Sequence, residues 1–503
     1  MHFNKKIEFK NYLIEIKINK KFFKVKNRYY FGFPVGNKKL FKNPDLNFQC
    51  RNLSGYFFII DVIKDRVNFY TDIVGNFRVY YYQENNYLLV TDDLNNIFKK
   101  KKKNYFKLNK RIFNFFKLKN YTPGNKTFLD GIMKFQPGSK FSIKNSNQLF
   151  VKTYYLNYKN LPNLKTIEKE IDWNFKNQIR LFEKEKVVLF FSGGRDSLLI
   201  FFYLLKMKIN FECIFYDTKV NSVISGSLEF VKNMCKKNEI KLRIIKIPLS
   251  MKSDFKKFLF KEMLFDYHYS FLHFSVFKKL KSIYNQNTVF LSGQSCDSIL
   301  SFGPSAYTIS NFIARYMNLY PTNILSTIFS KIINLKFKNN ITSSKNLRNF
   351  YVNFYNSFFY YSVGCQNNKS LNDLSLKTIR DLKIEKYDPI SKKMYLKCHG
   401  FLQGPDNQVF IKTANYFNFK KILLPFANYQ LIKSVTKSYN FKTDLIFPKY
   451  IVDFLLLKKF NMSKELFIKN VFNKKRKPYK LNLTLKNSNF KKKVINQIKN
   501  KYA

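Results

Sequence analysis

One loop of the chain has residues that can bind phosphate, directly after an apolar run. Residues 187–191 are apolar and long enough for a buried strand, the loop 192–197 reads Ser-Gly-Gly-Arg-Asp-Ser, and residues 198–205 form a second apolar run of helical length. Adjacent glycines let backbone N–H groups converge on an anion at the positive end of the following helix. The sequence therefore predicts a phosphate-binding turn between a parallel strand and a helix.

Asp196 gives this loop a second chemistry. The chain contains no Gly-Lys-Ser or Gly-Lys-Thr, so the loop is not of the Walker type, and a loop that binds only anions would avoid a carboxylate. A carboxylate beside phosphates indicates bound Mg²⁺.

The form Ser-Gly-Gly-x-Asp-Ser after a buried strand resembles the pyrophosphate loop (PP-loop) of the ATP pyrophosphatases, which split ATP into AMP and pyrophosphate. The resemblance implies ATP as cofactor, bound at Ser192, Gly193, Gly194, Asp196 and Ser197, with Mg²⁺ on Asp196.

A second apolar run also ends in a loop with a glycine and an aspartate. Residues 289–298 read Val-Phe-Leu-Ser-Gly-Gln-Ser-Cys-Asp-Ser. They resemble the Ser-Gly-Glu-Gly-Ala-Asp-Glu loop of the asparagine synthetases, whose aspartate joins the PP-loop aspartate on magnesium. The resemblance implies Gly293 in nucleotide binding and Asp297 as the second metal ligand. Gln294 and Ser298 stand where the family has glutamates, one of which is associated with amine transfer, so ammonia as the nucleophile is in doubt.

The segments between these two loops predict a parallel sheet. Residues 211–216 and 242–247 have the pattern of strands and residues 228–237 that of a helix, which gives a βαβαβ series. ATP is then expected at the carboxyl edge of the sheet. In the resembling families the end of the second strand meets the adenine, which implies that Tyr216 and Asp217 lie near the nucleotide.

The N-terminal part has the pattern of a strand meander. Apolar and polar residues alternate over residues 12–26 and 55–92. Its segments resemble, in order, the second half of the glutaminase domain of the asparagine synthetases, with four glycines on the family's turn motifs: Gly55, Gly75, Gly131 and Gly138. The resemblance implies an α/β protein in two parts. An Ntn-hydrolase-like α/β sandwich would occupy residues 1–156, and a parallel-sheet PP-loop synthetase domain, similar to the adenine nucleotide α-hydrolases, would occupy residues 165–503.

The residue that this glutaminase needs for catalysis is missing. The family uses a cysteine directly after the initiator methionine, whose thiolate and free α-amine act as nucleophile and base. This chain has His2 there, and residues 1–50 lack the arginine and Asn-Gly pattern that holds glutamine. We therefore expect no glutamine hydrolysis.

The C-terminal part contributes the remaining catalytic candidate. Residues 424–432 resemble the family's Pro-Phe-Leu-Asp motif, with Asn428 in place of the aspartate, and residues 448–451 resemble the start of its Lys-Tyr-x-Leu-Arg helix. The lysine of that helix steadies negative charge on the tetrahedral intermediate, so the resemblance implies that Lys449 is catalytic. Asp453 stands where the family has arginine.

Composition limits the remaining choices. A chain of 503 residues exceeds one ordinary core, and its net charge of +59 suits nucleic acid or an anionic surface. The lysines, however, are spread along the whole chain and accompany a high content of Asn, Phe, Ile and Tyr, so we do not favour nucleic acid as a partner, although it stays open.

The six cysteines form no C-x-x-C pair and no disulfide framework is indicated. No apolar run is long enough for a membrane span, and we expect a cytoplasmic protein.

These features favour an ATP-dependent, amide-forming carbon–nitrogen ligase of the asparagine synthetase type. Its partners would be a small-molecule carboxylate and an amine, and a homodimer stays open. One alternative is a tRNA-modifying PP-loop ligase of the lysidine-synthetase type, which would use the positive charge but places its loop near the N-terminus. The other is a catalytically degenerate homologue that binds nucleotide without turnover.

Overall fold

The computed structural model describes residues 3–9, 12–100, 106–119, 122, 124–144, 149–153, 164–217, 225–247, 253–262, 267–300, 398, 407–438 and 450–462. Within them, residues 3–153 form a two-sheet unit and residues 164–462 form a parallel-sheet unit. Helices and strands alternate along the second unit, which confirms the α/β class expected from the sequence.

The two-sheet unit contains one five-stranded and one six-stranded sheet, with strand orders β1-β2-β8-β7-β9 and β11-β10-β6-β5-β4-β3. Neighbouring strands are antiparallel except β2 and β8, which run parallel. The strands are β1 Phe3–Phe9, β2 Tyr12–Ile18, β3 Phe22–Val25, β4 Arg28–Val35, β5 Ser54–Ile63, β6 Arg66–Thr71, β7 Tyr80–Glu84, β8 Tyr87–Thr91, β9 Ile132–Lys134, β10 Ser139–Lys144 and β11 Leu149–Thr153. The helices are α1 Lys38–Lys42, α2 Leu46–Asn52, α3 Leu94–Lys100 and α4 Lys110–Lys119.

Aromatic rings fill the space between the two sheets. The ring centroid of Tyr81 on β7 lies 6.2 Å from that of Phe141 on β10, and Phe135 lies 4.5 Å from Phe141. All three rings are buried, as expected where period-two strands turn one face towards a core. The alternation read from the sequence therefore produces a layered unit with an aromatic interior.

A single carboxylate fixes the turn between β6 and β7. The buried side chain of Asp72 accepts backbone N–H bonds from Val74 (3.1 Å), Asn76 (2.9 Å), Phe77 (3.0 Å) and Phe57 (3.3 Å). Burial raises the pKa of Asp72 to about 6, although the four N–H bonds act to lower it. The buried Asp72 carboxylate thus stabilises this turn by accepting hydrogen bonds from its backbone N–H groups.

The parallel-sheet unit has the strand order β14-β13-β12-β15-β16, with all neighbours parallel. Its strands are β12 Val187–Phe190, β13 Phe211–Asp217, β14 Leu242–Lys246, β15 Val289–Ser292 and β16 Ile422–Leu423. Its helices are α5 Leu164–Arg180, α6 Arg195–Lys206, α7 Ser225–Lys237, α8 Ser253–Glu262, α9 Tyr267–Leu280, α10 Cys296–Ile299, α11 Asn407–Tyr416, α12 Tyr429–Ser438 and α13 Tyr450–Phe454, followed by a π-helical turn Leu455–Lys459. The predicted βαβαβ series is confirmed.

The apolar runs of the sequence become the centre of this unit. Every residue of β12 is buried, and α6 buries most of its length against the sheet. Phe460, just after the π-helical turn, lies 5.4 Å from Phe202 and 5.0 Å from Tyr203, ring centroid to ring centroid. The chain that follows α13 therefore packs on α6, the helix that the phosphate loop begins.

The two units meet through side chains on both sides. The buried hydroxyl of Tyr56 donates to the carbonyl oxygen of Lys420 at 2.7 Å and lies 3.1 Å from Oδ1 of Asn415. A groove of about 590 Å³ runs between α5 and the two-sheet unit. Its lining includes three large side chains that remain well exposed: Trp173 (58%), Phe48 (48%) and Leu181 (41%). None of the described helices has the length and apolar character needed to cross a bilayer.

Candidate active site

The phosphate loop turns sharply where β12 ends. Gly193 has φ +72°, a left-handed conformation that side chains disfavour, and Gly194 is the N-cap of α6 in an extended conformation. The first N–H groups of a helix have no partner within it and carry the positive end of its dipole. The glycine pair thus forms the turn predicted from the sequence, with α6 beginning at Arg195.

Two hydroxyls brace the loop. Ser192 Oγ accepts the N–H of Gly194 at 3.3 Å and lies 3.3 Å from Ser197 Oγ, which donates to the Gly194 carbonyl at 3.1 Å. A Cβ on Gly194 would lie 3.2 Å from Ser192 Oγ, tighter than most real contacts. The serines and glycines are therefore fitted to one another, and the loop has little room for other residue types.

The second predicted loop packs directly on the first. β12 and β15 are neighbours, with Phe190 opposite Ser292, so their carboxyl ends meet at the same edge. A Cβ on Gly293 would lie 3.0 Å from Asp196 Cβ and 3.0 Å from the backbone nitrogen of Ser197. Any side chain at this position would push against the first turn of α6. The two motifs, far apart in sequence, lie against each other at one edge of the sheet.

Asp297 is described by its backbone, which lies in α10. That helix begins three residues beyond Gly293, so the segment carrying this aspartate starts beside Asp196. Among the side chains that the structure describes, no three His, Cys, Asp or Glu are placed to hold a metal. The metal-binding roles of Asp196 and Asp297 therefore stay predictions.

Tyr216 and Asp217 are the last two residues of β13, the strand next to β12. They therefore lie at the same edge of the sheet as the phosphate loop. The Tyr216 ring is 5.5 Å from Phe190, and its buried hydroxyl has no hydrogen-bond partner within the described part of the chain. Burial raises the pKa of Tyr216 well above its usual value. The predicted role of Tyr216 and Asp217 near the nucleotide stays a prediction.

Sequence reasoning missed a side-chain pair at this edge. Gln294 Nε2 lies 3.3 Å from Nε2 of His273, which projects from α9 and is 7% exposed. The buried Oε1 of Gln294 has no partner among the described residues. The replacement of a family glutamate by Gln294 was visible in the sequence. Its partner was not, because His273 comes from another segment of the chain, and no local pattern connects the two.

An ion pair ties the loop to the C-terminal part. Arg195 donates through one guanidinium nitrogen to both carboxylate oxygens of Asp453, at 2.8 and 2.6 Å. Both side chains are less than a quarter exposed. Asp453, noted above as a departure from the family, thus has a partner in this chain. Lys449 lies outside the described residues, as does His2, so their roles stay predictions.

No known protein family profile and no curated protein matches the chain. Among solved structures, it is similar to an NH3-dependent NAD synthetase from Campylobacter jejuni (15% identity, 44% of this chain and 96% of that one, TM-score 0.23). It is also similar to an NMN synthetase from Francisella tularensis (14%, 28% and 58%, TM-score 0.21) and a U34-tRNA thiolase from Methanococcus maripaludis (13%, 46% and 77%, TM-score 0.20). The chain thus spans little more than half of the NMN synthetase. Similarity at TM-scores of 0.20–0.23 does not indicate an activity. The proposal of a function therefore depends on the geometry of residues 192–197 and 292–298.

Proposed function

We propose that this protein is an ATP-dependent ligase of the PP-loop type, which splits ATP into AMP and pyrophosphate. The observation that carries the proposal is the contact between Gly293 and Asp196. It joins a glycine turn at the start of α6 to a second loop with its own aspartate. The resemblance of residues 192–197 to the pyrophosphate loop of the ATP pyrophosphatases supports the same proposal.

ATP would lie across the carboxyl edge of the parallel sheet. Its phosphates would be bound at residues 192–197 by backbone N–H groups and the end of the α6 dipole. Tyr216 and Asp217 would lie towards the adenine. Asp196 and Asp297 would hold Mg²⁺, since carboxylate oxygens are the ligands that it prefers. The bound metal would supply neutralisation of the pyrophosphate charge.

The reaction we infer is of the asparagine synthetase type. A substrate carboxylate attacks the α-phosphorus of ATP, the bond to the bridging oxygen breaks and pyrophosphate leaves, which gives an acyl-adenylate. An amine then attacks the acyl carbon, AMP leaves and an amide remains. The chain's own part in this is largely positioning and charge stabilisation by the α6 N-terminus. With His2 in place of the family's cysteine, the amine would not come from glutamine hydrolysed by this chain.

The proposal is tested by ATP–pyrophosphate exchange across a panel of carboxylic acids, together with calorimetric titration of Mg–ATP. We expect Asp196→Asn and Asp297→Asn each to abolish exchange and to weaken Mg–ATP binding at least about tenfold, while the fold persists. The matched control is Asp65→Asn, since Asp65 is exposed in the turn after β5. Wild-type protein that binds no Mg–ATP, or an Asp196→Asn variant with normal affinity, would contradict the proposal.

A further inference from the structure

Buried polar side chains connect the second loop to the two-sheet unit. Ser295 Oγ donates to Oδ1 of Asn407 at 2.8 Å, and Asn407 Nδ2 donates to Oδ1 of Asn76 at 3.2 Å. Beside them, Gln408 Nε2 donates to the carbonyl of Gly75 at 3.1 Å. The four side chains that make these bonds are at most 4% exposed. The hydrogen bonds therefore form in a dry environment, where a broken bond leaves a polar group unsatisfied.

The bond to Asn407 acts on a strained residue. Ser295 has φ +73° and ψ −16°, a left-handed conformation, at the position where the resembling family loop has glycine. For a residue with a Cβ this conformation costs roughly 1–2 kcal/mol. A net hydrogen bond contributes about 0.5–1.5 kcal/mol, which is of the same size. The hydrogen bond from Ser295 to Asn407 thus offsets the free-energy cost of placing serine, and not glycine, in this left-handed conformation.

The other end of the connection is rigid. Asn76 belongs to the turn whose backbone N–H groups are held by the Asp72 carboxylate. Asn407 is the first residue of α11 and stands between this turn and Ser295. Ser295 lies two residues after Gly293, where an added Cβ would lie 3.0 Å from Asp196 Cβ, so we expect a shift of Ser295 to change how closely the two loops pack. The turn held by Asp72 in the two-sheet unit is thereby connected, through Asn407, to the loop that contains Gly293 and Ser295 in the parallel-sheet unit.

We propose that the two-sheet unit is a positioning element of the ATP site. Asn76 acts through Asn407 on Ser295, and so fixes where α10 begins and where Gly293 meets Asp196. This inference rests on the proposed Mg–ATP site. It gives the two-sheet unit a role in synthetase chemistry.

The hydrogen bonds between Ser295, Asn407 and Asn76 could position the loop or could serve stability alone, and the two roles predict different results. If the bonds only hold the two units together, removing one lowers stability and leaves the Mg–ATP affinity of the folded protein unchanged. If they position the loop, affinity falls in protein that is still folded. The two cases are separated by measuring the dissociation constant at a temperature at which each variant is folded by circular dichroism.

The experiment uses the full-length chain with ATP in excess Mg²⁺. We expect Asn76→Ala to raise the dissociation constant about five- to tenfold, the equivalent of one lost buried hydrogen bond. Ser295→Ala should weaken binding more than Ser295→Gly, because alanine keeps the backbone strain and glycine removes it. The matched control is Asn68→Ala. Asn68 is also buried, but its bonds to Asp61 and Ser142 stay within the two-sheet unit, so affinity should not change.

Wild-type affinity in folded Asn76→Ala and Ser295→Ala variants would overturn the inference. If wild-type protein binds no Mg–ATP, the proposed function fails, and the connection is judged by amide hydrogen exchange. Asn76→Ala should then speed exchange over residues 293–300, whereas Asn68→Ala should not. Equal exchange in the two variants would also overturn the inference.

Discussion

Gly193 and Gly293 are needed for different physical reasons. Gly193 takes a positive φ that side chains disfavour, whereas Gly293 leaves space that the first turn of α6 fills. Both could be singled out from the sequence, because glycine is scarce in this chain, at 15 of 503 residues. The resemblance implied that the two loops lie close together, but the tight approach of Gly293 to Asp196 could not be located, since no local pattern records which atoms of distant segments touch.

We expect Gly293→Ala to weaken Mg–ATP binding at least about tenfold. The added Cβ would lie 3.0 Å from Asp196 Cβ and Ser197 N, so the two loops would have to shift apart by a few tenths of an ångström. Calorimetric titration of Mg–ATP checks this. Gly131→Ala is the control: its φ of +82° costs stability, but its Cβ would meet only Tyr82 at 3.9 Å, within the two-sheet unit, so affinity should stay normal. Normal affinity in Gly293→Ala would contradict the close packing of the loops.

The role of Lys449 is predicted from resemblance alone, and Lys449→Met tests it. A lysine near the acyl carbon stabilises the oxyanion formed when the amine attacks, and losing such a contact costs about 10²–10³ in rate. We expect product formation to slow by that factor while ATP–pyrophosphate exchange changes little. Lys458→Met, a nearby lysine in the π-helical turn, is the control. Equal loss of both half-reactions, or of neither, would contradict the assignment.

Among the elements, the strands of the parallel sheet were the most predictable. A strand buried on both faces is a continuous apolar run, so β12 and β15, in which every residue is buried, could be located from composition. The partly exposed strands β13 and β14 could be located from their apolar residues and their place in the βαβαβ series. The pairing of β2 with β8 could not, because alternation gives the face of a strand and not its partner. Short elements such as α10 and α13 are also set by tertiary contacts, which a local pattern does not contain.

Glu212 connects strand β13 to the neighbouring strand β14 and to Tyr284 through hydrogen bonds. Its carboxylate accepts from Arg243 Nε on β14 at 2.8 Å and from the Tyr284 hydroxyl at 2.7 Å. Burial raises the pKa of Glu212, but these hydrogen bonds and the charges of Arg243 and Lys186 outweigh it and lower the pKa from 4.5 to about 2. A lowered pKa means that the folded state gains stability from the charged form.

The stabilisation from Glu212 should be complete above pH 4.5 and should be lost as the pH falls from there towards 2. Because solvent screens this partly exposed site, we expect about 1–2 kcal/mol. Denaturant unfolding of wild type and Glu212→Gln checks this: the difference in unfolding free energy should shrink on acidification. Glu183→Gln, at an exposed position, should show no such trend. A constant difference across the pH range would mean that charge plays no part.

At the scale of the whole molecule, the two units are interlocked. Tyr56 bonds across the boundary, Asn76 meets Asn407, and Gln430 Nε2 donates to Asn52 Oδ1 at 3.0 Å. Sequence motifs indicated two parts and their order, but the contacts between the parts use Asn, Gln and Tyr at positions with no local pattern. We therefore expect the two units to unfold together.

Tyr56→Phe tests this coupling. It leaves the partly buried Lys420 carbonyl without the hydroxyl at 2.7 Å, which should cost about 1–3 kcal/mol, and thermal unfolding should shift to lower temperature as one transition. Tyr29→Phe is the control, since that partly exposed hydroxyl meets Lys5 within the two-sheet unit. Separate transitions for the two units, in wild type or variant, would contradict the coupling.

The groove between the units is lined by Trp173, whose fluorescence can report on this boundary. Trp173 is the one tryptophan of the chain, lies on α5 and is more than half exposed where the groove opens. Excitation at the red edge of the absorption band avoids the 34 tyrosines, so the emission then comes from a single known place. A change in its colour or in its quenching by a dissolved ion would report movement at this boundary, with no label attached to the protein.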